Sequence, residues 1–181
     1  MRVSVRALRL PVFAVNAAEA TAVADLRDSP GDVAMATVLL DHQVAMALIL
    51  DGRLLSGVTR RTGDIAHIVA GTPGPVCDEC GHMCLQQQLL ALRTDPATAT
   101  LLDAAHALAA VLAPIAAGVA LTEVVLSGFP DAVADELAGL THRSLRTRML
   151  DEHVPAVRVS KRGPSAAMIG AAALMLYRLL G

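Results

Sequence analysis

Between residues 121 and 181 the sequence alternates short apolar runs with segments long enough to form a helix. A run at 121–128 is followed by a helical segment at 131–150, a second run at 156–160 and a last helical segment at 164–180. Two strands joined by a crossover helix lie parallel in one sheet. The alternation therefore predicts a βαβα unit and an α/β fold.

Three more short apolar runs lie within 33–58. The last two are separated by Asp51-Gly52, and both residue types tolerate a positive φ, which is typical of a two-residue hairpin. We therefore expect an antiparallel three-stranded meander at 33–58.

Helical spacing predicts further helices at 16–26, 85–93 and 96–118, the last with Asp95 as its cap and Pro96 at its first position. The chain has 181 residues, without an internal repeat or linker, which is enough for one lobe with its own core. We expect a single domain over 1–181.

The charge pattern and the apolar stretches exclude two function classes. Fifteen basic and seventeen acidic side chains give a net charge of −2, without a basic stripe, so we expect no direct contact with nucleic acid. The N-terminal segment MRVSVRALRLPVFAV lacks the pattern of a signal peptide. The apolar stretches at 104–121 and 166–177 are interpreted as buried helices, not membrane spans. We expect a cytoplasmic protein.

All three cysteines lie close together, at Cys77, Cys80 and Cys84, with His67 ten residues before the first. Clustered cysteines in a cytoplasmic protein indicate a metal more often than a disulfide. Three thiolates and one imidazole complete a tetrahedral zinc site. His82 is an alternative fourth ligand, and a redox dithiol or simple reduced cysteines remain alternatives to zinc.

The same segment resembles a known family. In this chain GDIAH at 63–67 is followed by nine residues, Cys77, Cys80-Gly and Cys84-Leu-Gln. This order of residues resembles the ROK family of sugar kinases and sugar-responsive repressors. The pattern of that family is G-E-I-G-H, nine residues, and C-x-C-G-x-x-G-C-L-E, so only the middle cysteine is displaced. The segments LPVFAVNAAEATAVAD, ALILDGRLLSGV, VVLSG and AMIGAAALML are similar to further parts of the family sequence.

The resemblance implies the second lobe of an actin-like, ribonuclease-H-like ATPase fold, with a Cys/His zinc loop at 63–86. In the family, sugar and ATP bind between two lobes. The N-terminal lobe and a helix-turn-helix are expected to be absent from this chain. The implied zinc ligands are His67, Cys77, Cys80 and Cys84, and the implied sugar contacts are Asn16, Asp64, His67 and Gln86.

Each sugar contact also has a structural alternative. Asn16 has the residue type of a helix cap, and Asp64 can solvate a turn. Gln86 can lie at the start of a surface helix. His67 has the strongest functional claim because the cysteines supply partners for it.

Two departures from the family pattern concern catalysis. The family has a general-base Asp directly after the Asn, and this chain has Ala17 there; Glu19, two residues on, would lie on another face of the helix. The glycine-rich phosphate turn of the family is replaced by DHQVAMA at 41–47. We therefore expect no catalytic residue, and neither ATP nor Mg²⁺ as a cofactor; zinc is the cofactor that we expect.

The leading hypothesis is a non-catalytic ROK-type protein, derived from a sugar-responsive transcriptional regulator, that binds a hexose or amino sugar weakly. One alternative is an ATP-dependent hexose kinase acting on glucose or N-acetylglucosamine, and another is a structural zinc-bound interaction module. The apolar helix at 165–180 offers a surface for a homo-oligomer or a separately encoded lobe.

Overall fold

The structure is a computed structural model that describes residues 14–29, 33–57, 62–71 and 74–180. The basic N-terminal segment at 1–13 and the last residue expected in the meander, Val58, lie outside the described residues.

Within the described residues, five strands form one mixed sheet. They are β1 (Met35–Leu40), β2 (Val44–Leu50), β3 (Arg53–Leu54), β4 (Glu123–Ser127) and β5 (Ala156–Val159). Their order across the sheet is β3-β2-β1-β4-β5. The first three strands are antiparallel, while β4 lies parallel to both β1 and β5. The meander and the βαβ unit thus share one sheet through the β1–β4 pair.

The predicted hairpin is present between β2 and β3. Asp51 has φ of 51° and Gly52 has φ of 69°, both in the left-handed region that this turn requires. The hairpin is closed by the pair Leu50 and Arg53. The local sequence was therefore sufficient to place this turn.

In the part of the chain that the structure describes, five α-helices surround the sheet: α1 (Ala17–Leu26), α2 (Leu85–Ala91), α3 (Thr98–Val119), α4 (Asp131–Arg146) and α5 (Ala166–Leu180). The predicted start of α3 was wrong, because Ala97 is the N-cap and Pro96 lies before the helix. Asp95 stabilises the preceding turn instead, accepting hydrogen bonds from Ala97 N at 3.2 Å and from Thr100 Oγ1 at 2.9 Å. The helix predicted at 131–150 ends at Arg146.

The apolar core has two parts, one on each face of the sheet. The larger part lies beneath α2, α3 and α4 and includes Leu89, Leu108 and Leu137. The smaller part packs α1 on the sheet through residues such as Ala18 and Ala22. Small side chains allow α1 to approach the strands closely, which fixes the position of its N-terminus.

Helix α5 packs on α1 through a glycine. A Cβ atom on Gly170 would lie 1.6 Å from the backbone oxygen of Ala20, so the two helices touch by their backbones. Elsewhere on α5, Met168, Leu176 and Tyr177 are exposed. Among the described residues, Ala99–Val119 is long and apolar enough to cross a membrane, and half of that stretch is buried in the core.

A network of charged side chains connects the end of α1 to β4, β5 and the start of α5. Arg158 Nε donates to Glu123 Oε1 at 2.5 Å, and the same Glu123 accepts a hydrogen bond from Ser29. Arg162 Nη2 donates to Asp28 Oδ1 at 2.8 Å. Together with Gly170, these bonds hold α1 against the second half of the fold.

Asp25 in this network is expected to make stability depend on pH. It is fully buried, and burial raises the pKa of its carboxyl although Ser160 donates a hydrogen bond at 2.6 Å. In the unfolded chain the pKa of an Asp is about 3.9. Just above that pH the folded protein therefore binds more protons than the unfolded chain. The contribution of Asp25 to the free energy of unfolding should therefore fall as the pH rises above the pKa of the unfolded Asp.

The test is urea unfolding of the wild type and of Asp25→Asn between pH 4 and pH 7. The wild type should gain stability relative to the variant as the pH is lowered. Asp151→Asn is the matched control: Arg146 lowers the pKa of Asp151, so the contribution of Asp151 is lost mainly below the pKa of an unfolded Asp and should be nearly constant over this range. A stability difference between wild type and Asp25→Asn that is constant with pH would contradict the expectation.

Candidate metal centre and neighbouring cavity

The loop that contains the cysteines begins at a glycine packed against β2. Gly63 has φ of +82°, and a Cβ atom there would lie 1.7 Å from the backbone oxygen of Met46. Met46 N donates to Gly63 O at 2.9 Å. Only glycine fits this approach, so the turn fixes where the following segment runs.

Backbone pairing holds the His67 segment against the start of α2. Gln86 N donates to Ala66 O at 2.8 Å, and Leu85 N donates to Ile68 O at 2.9 Å. An isolated antiparallel bridge joins Val69 to Cys84. These bonds bring His67 beside Cys84, although 17 positions separate the two residues.

A tight turn brings the other two cysteines to the same place. Gly81 N donates to Cys77 O at 2.8 Å, and Cys77 N donates to His82 O at 2.9 Å. Cys84 N also donates to His82 O, at 3.0 Å. The backbone of His82 therefore organises the turn, and its side chain lies outside the cluster of possible ligands.

Four side chains converge into one group: His67, Cys77, Cys80 and Cys84. His67 Nδ1 lies 3.8 Å from Cys77 Sγ and 3.7 Å from Cys84 Sγ. All four ligand atoms lie within 4.8 Å of one another. Tetrahedral zinc would place nitrogen and sulfur ligands about 3.6 Å apart and two sulfurs about 3.8 Å apart. The cluster could therefore hold a metal ion with small adjustments.

One of the thiols has a lowered pKa, which favours the binding of a cation. The pKa of Cys77 is lowered to about 6, first by the backbone N–H of Cys80 and also by that of Glu79. Burial raises the pKa of Cys84. Cys77 is therefore a thiolate at neutral pH, whereas Cys84 would lose its proton when a cation binds. All three cysteines are free, and a redox dithiol stays an alternative to zinc.

The second nitrogen of His67 faces a carboxylate. Its Nε2 lies 3.2 Å from Oε2 of Glu79, whose side chain is 62% exposed. Glu79 was missed by the sequence analysis, because an acidic residue in a polar loop carries no distinguishing pattern.

The residues implied as sugar contacts lie in different surroundings. Asn16 is the N-cap of α1, and its Oδ1 accepts hydrogen bonds from Ala18 N at 2.8 Å and Glu19 N at 3.3 Å. Asp64 is exposed. Gln86 is buried, and its Oε1 accepts from Val44 N at 3.3 Å, so the expectation of a surface position for Gln86 was wrong. A role of these residues in sugar binding stays a prediction.

A cavity of about 400 Å³ lies at the carboxyl ends of the parallel strands, where α/β sheets commonly bind ligands. It is lined by the ends of β1, β4 and β5 and by the first residues of α1, α4 and α5. Ala17 contributes only a methyl group, and Asp41 contributes a carboxylate from the turn after β1. The hydroxyl of Thr21 is buried there without a hydrogen-bond partner among the described residues.

Comparison with known sequences shows a partial similarity to sugar kinases. No protein-family model matches the chain. Over 74 residues the sequence is 38% identical to an N-acetylmannosamine kinase from Citrobacter koseri, covering 40% of this chain and 25% of the relative. An N-acetylmannosamine kinase from Salmonella arizonae is 36% identical over 75 residues, covering 41% and 25%. The chain thus matches about a quarter of the length of these curated relatives.

Comparison with solved structures shows the fold. A ROK hexokinase from Thermus thermophilus superposes with a TM-score of 0.69 at 19% identity, covering 91% of this chain and 65% of that one. A ROK family transcriptional regulator, a homologue of the E. coli Mlc protein, superposes with a TM-score of 0.73 at 19% identity, covering 94% and 53%. The resemblance predicted from the sequence is confirmed: the chain has the α/β fold of the ROK proteins.

Proposed function

We propose that this chain, which has the fold of the ROK proteins, is a sugar-recognising lobe of that type that holds a structural zinc ion and does not transfer phosphate. The observation that carries the proposal is the convergence of His67, Cys77, Cys80 and Cys84 at distances suited to a tetrahedral cation. Soft thiolates with one imidazole favour zinc over magnesium or calcium. The ion would fasten a loop that is rich in glycine and proline.

The cavity supports the absence of phosphate transfer. A general base must lie within hydrogen-bonding distance of the hydroxyl that it deprotonates, and the first residue of α1, Ala17, has no such group. Asp41 lines the cavity at the turn after β1, where its negative charge would repel a phosphate; Arg93 lines the same cavity with a positive charge. Asn16 caps α1, which leaves its side chain engaged in the helix.

The proposal places the chain with sugar-responsive regulators in the cytoplasm. A glucokinase of this fold from Streptomyces griseus was solved with glucose and AMPPNP, and a ROK protein from Streptococcus pneumoniae was solved with sucrose. We extend sugar binding to this chain as part of the proposal, with a hexose or amino sugar as ligand. Partners of the exposed α5 face would be a second copy of the chain or another lobe.

A hexose kinase is the second candidate function, and the partial sequence similarity to sugar kinases favours it. The space at the strand ends is open, and relatives by sequence include N-acetylmannosamine kinases. In that case Glu19, which lies in the first turn of α1, is the nearest carboxylate along the chain to position 17.

The two functions differ in their products. We expect no ATP-dependent phosphate transfer by the wild type to glucose, N-acetylglucosamine or N-acetylmannosamine, because no base lies at position 17. We expect millimolar hexose to raise the melting temperature, since a ligand that binds only the folded state stabilises it by RT ln(1 + [L]/Kd). Coupled kinase assays and thermal scans measure these two quantities.

The controls separate the remaining outcomes. One set of results would establish the kinase and overturn the proposal. In that set the wild type transfers phosphate, Glu19→Ala does not, and Ala17→Asp transfers no more than the wild type. Bound zinc without any thermal response to hexose would favour a purely structural zinc module.

A further inference from the structure

We propose that Glu79 is the positioning residue of the metal centre: it holds His67 in the tautomer whose Nδ1 lone pair faces the three thiols. The inference rests on the zinc part of the proposed function. It concerns a side chain outside the cluster of possible ligands, and two independent contacts carry it.

The first contact is between the side chains. Nδ1 of His67 faces the sulfurs of Cys77 and Cys84, and Nε2 lies 3.2 Å from Oε2 of Glu79. A neutral imidazole carries its proton on one nitrogen only. When Nδ1 binds a cation through its lone pair, the proton is on Nε2, where the Glu79 carboxylate accepts it. A carboxylate in this position orients the ring and makes the imidazole a stronger ligand.

The second contact is made by the backbone of the turn that contains Glu79. Gly81 N donates to Cys77 O at 2.8 Å, and Cys77 N donates to His82 O at 2.9 Å. These bonds close the turn over residues 77–82 and hold Glu79 beside the cluster.

The exposure of Glu79 makes its contribution measurable by substitution. Its side chain is 62% exposed, so replacing it leaves no cavity in the core. Asp78 is also exposed and precedes it in the same loop, which makes Asp78→Ala a matched loss of one negative charge. Comparison of the two variants separates a directed hydrogen bond from a general electrostatic attraction for the cation.

The test is the zinc dissociation constant of the wild type, Glu79→Ala, Glu79→Gln and Asp78→Ala, measured by competition with a chromogenic chelator at pH 7.5. We expect Glu79→Ala to weaken zinc binding about tenfold or more, as lost partners of ligating histidines do. Glu79→Gln keeps an acceptor oxygen and should lose less. Asp78→Ala should change the constant by less than about threefold, the size expected for a screened surface charge.

Proton NMR supplies a readout of the hydrogen bond itself, recorded on folded and zinc-saturated protein. In the zinc-loaded wild type and in Asp78→Ala, the Nε2 proton of His67 should be observable because its hydrogen bond slows exchange with water. In Glu79→Ala it should be lost. Equal zinc affinities of Glu79→Ala and Asp78→Ala, or a retained proton signal in Glu79→Ala, would overturn the inference. A wild type that binds no zinc would instead overturn the proposed function.

Discussion

Replacing Cys84 with serine is expected to abolish stoichiometric zinc binding and to lower the melting temperature by about 10 °C. Cys84 is fully buried, and its sulfur lies 3.7 Å from Nδ1 of His67, 17 residues earlier in the chain. A cross-link that closes a loop of this length stabilises a protein by about 3 kcal/mol. For a chain of this size, each 1 kcal/mol shifts the melting temperature by roughly 2–4 °C.

Metal analysis and calorimetry measure the two effects. Treatment of the wild type with a strong chelator should lower its melting temperature to that of Cys84→Ser, and chelator should leave the variant unchanged. Cys80→Ser then tests the half-exposed cysteine: retained zinc and an unchanged melting temperature would remove Cys80 from the ligand set. A wild type purified without zinc, and insensitive to added zinc, would refute the metal centre altogether.

Replacing Gly170 with alanine is expected to destabilise the protein by about 3 kcal/mol, at the upper end of the usual cost of overpacking. The added Cβ would lie 1.6 Å from the backbone oxygen of Ala20. Neither atom belongs to a flexible side chain, so α5 must move away from α1 as a whole. The bonds that Arg162 and Ser160 make to the end of α1 would be strained by the same movement.

Gly118→Ala is the matched control for this prediction. Gly118 lies in α3, and a Cβ atom there would meet nothing within 4 Å. The substitution should stabilise the protein by about 0.5–1 kcal/mol, because alanine is the better helix former. Urea unfolding measures both variants, and effects of the same sign in both would show that the α1–α5 contact is not as close as the structure has it.

The elements of the fold were predictable because their signals are local. Apolar runs of strand length and segments of helical spacing identified the five strands and five α-helices of the described residues, and Asp51-Gly52 identified the hairpin. Helix ends were less accurate, as at Pro96, because the hydrogen bonds of Asp95 decide where α3 begins. The spacing of His67 and the cysteines likewise predicted that they could meet.

The arrangement of these elements was not predictable from local patterns. The parallel pairing of Met35 with Glu123 joins the meander to the βαβ unit, and no sequence signal marks strands that are so far apart. The cavity at the ends of β1, β4 and β5 exists only because of this pairing. Thr21 and Ala17 line the cavity because the small residues of α1 bring that helix close to the sheet.

In the candidate site, too, the sequence determined some properties of single side chains and the tertiary structure determined others. By itself, the sequence determined which residues could bind a metal, since ligand chemistry depends on residue type and on the spacing of Cys77, Cys80 and Cys84. Only the tertiary structure decided that Gln86 is buried and that Glu79 reaches His67. Those outcomes depend on the direction of each side chain. Backbone hydrogen bonds between distant segments impose that direction, and a linear pattern of residue types does not contain it.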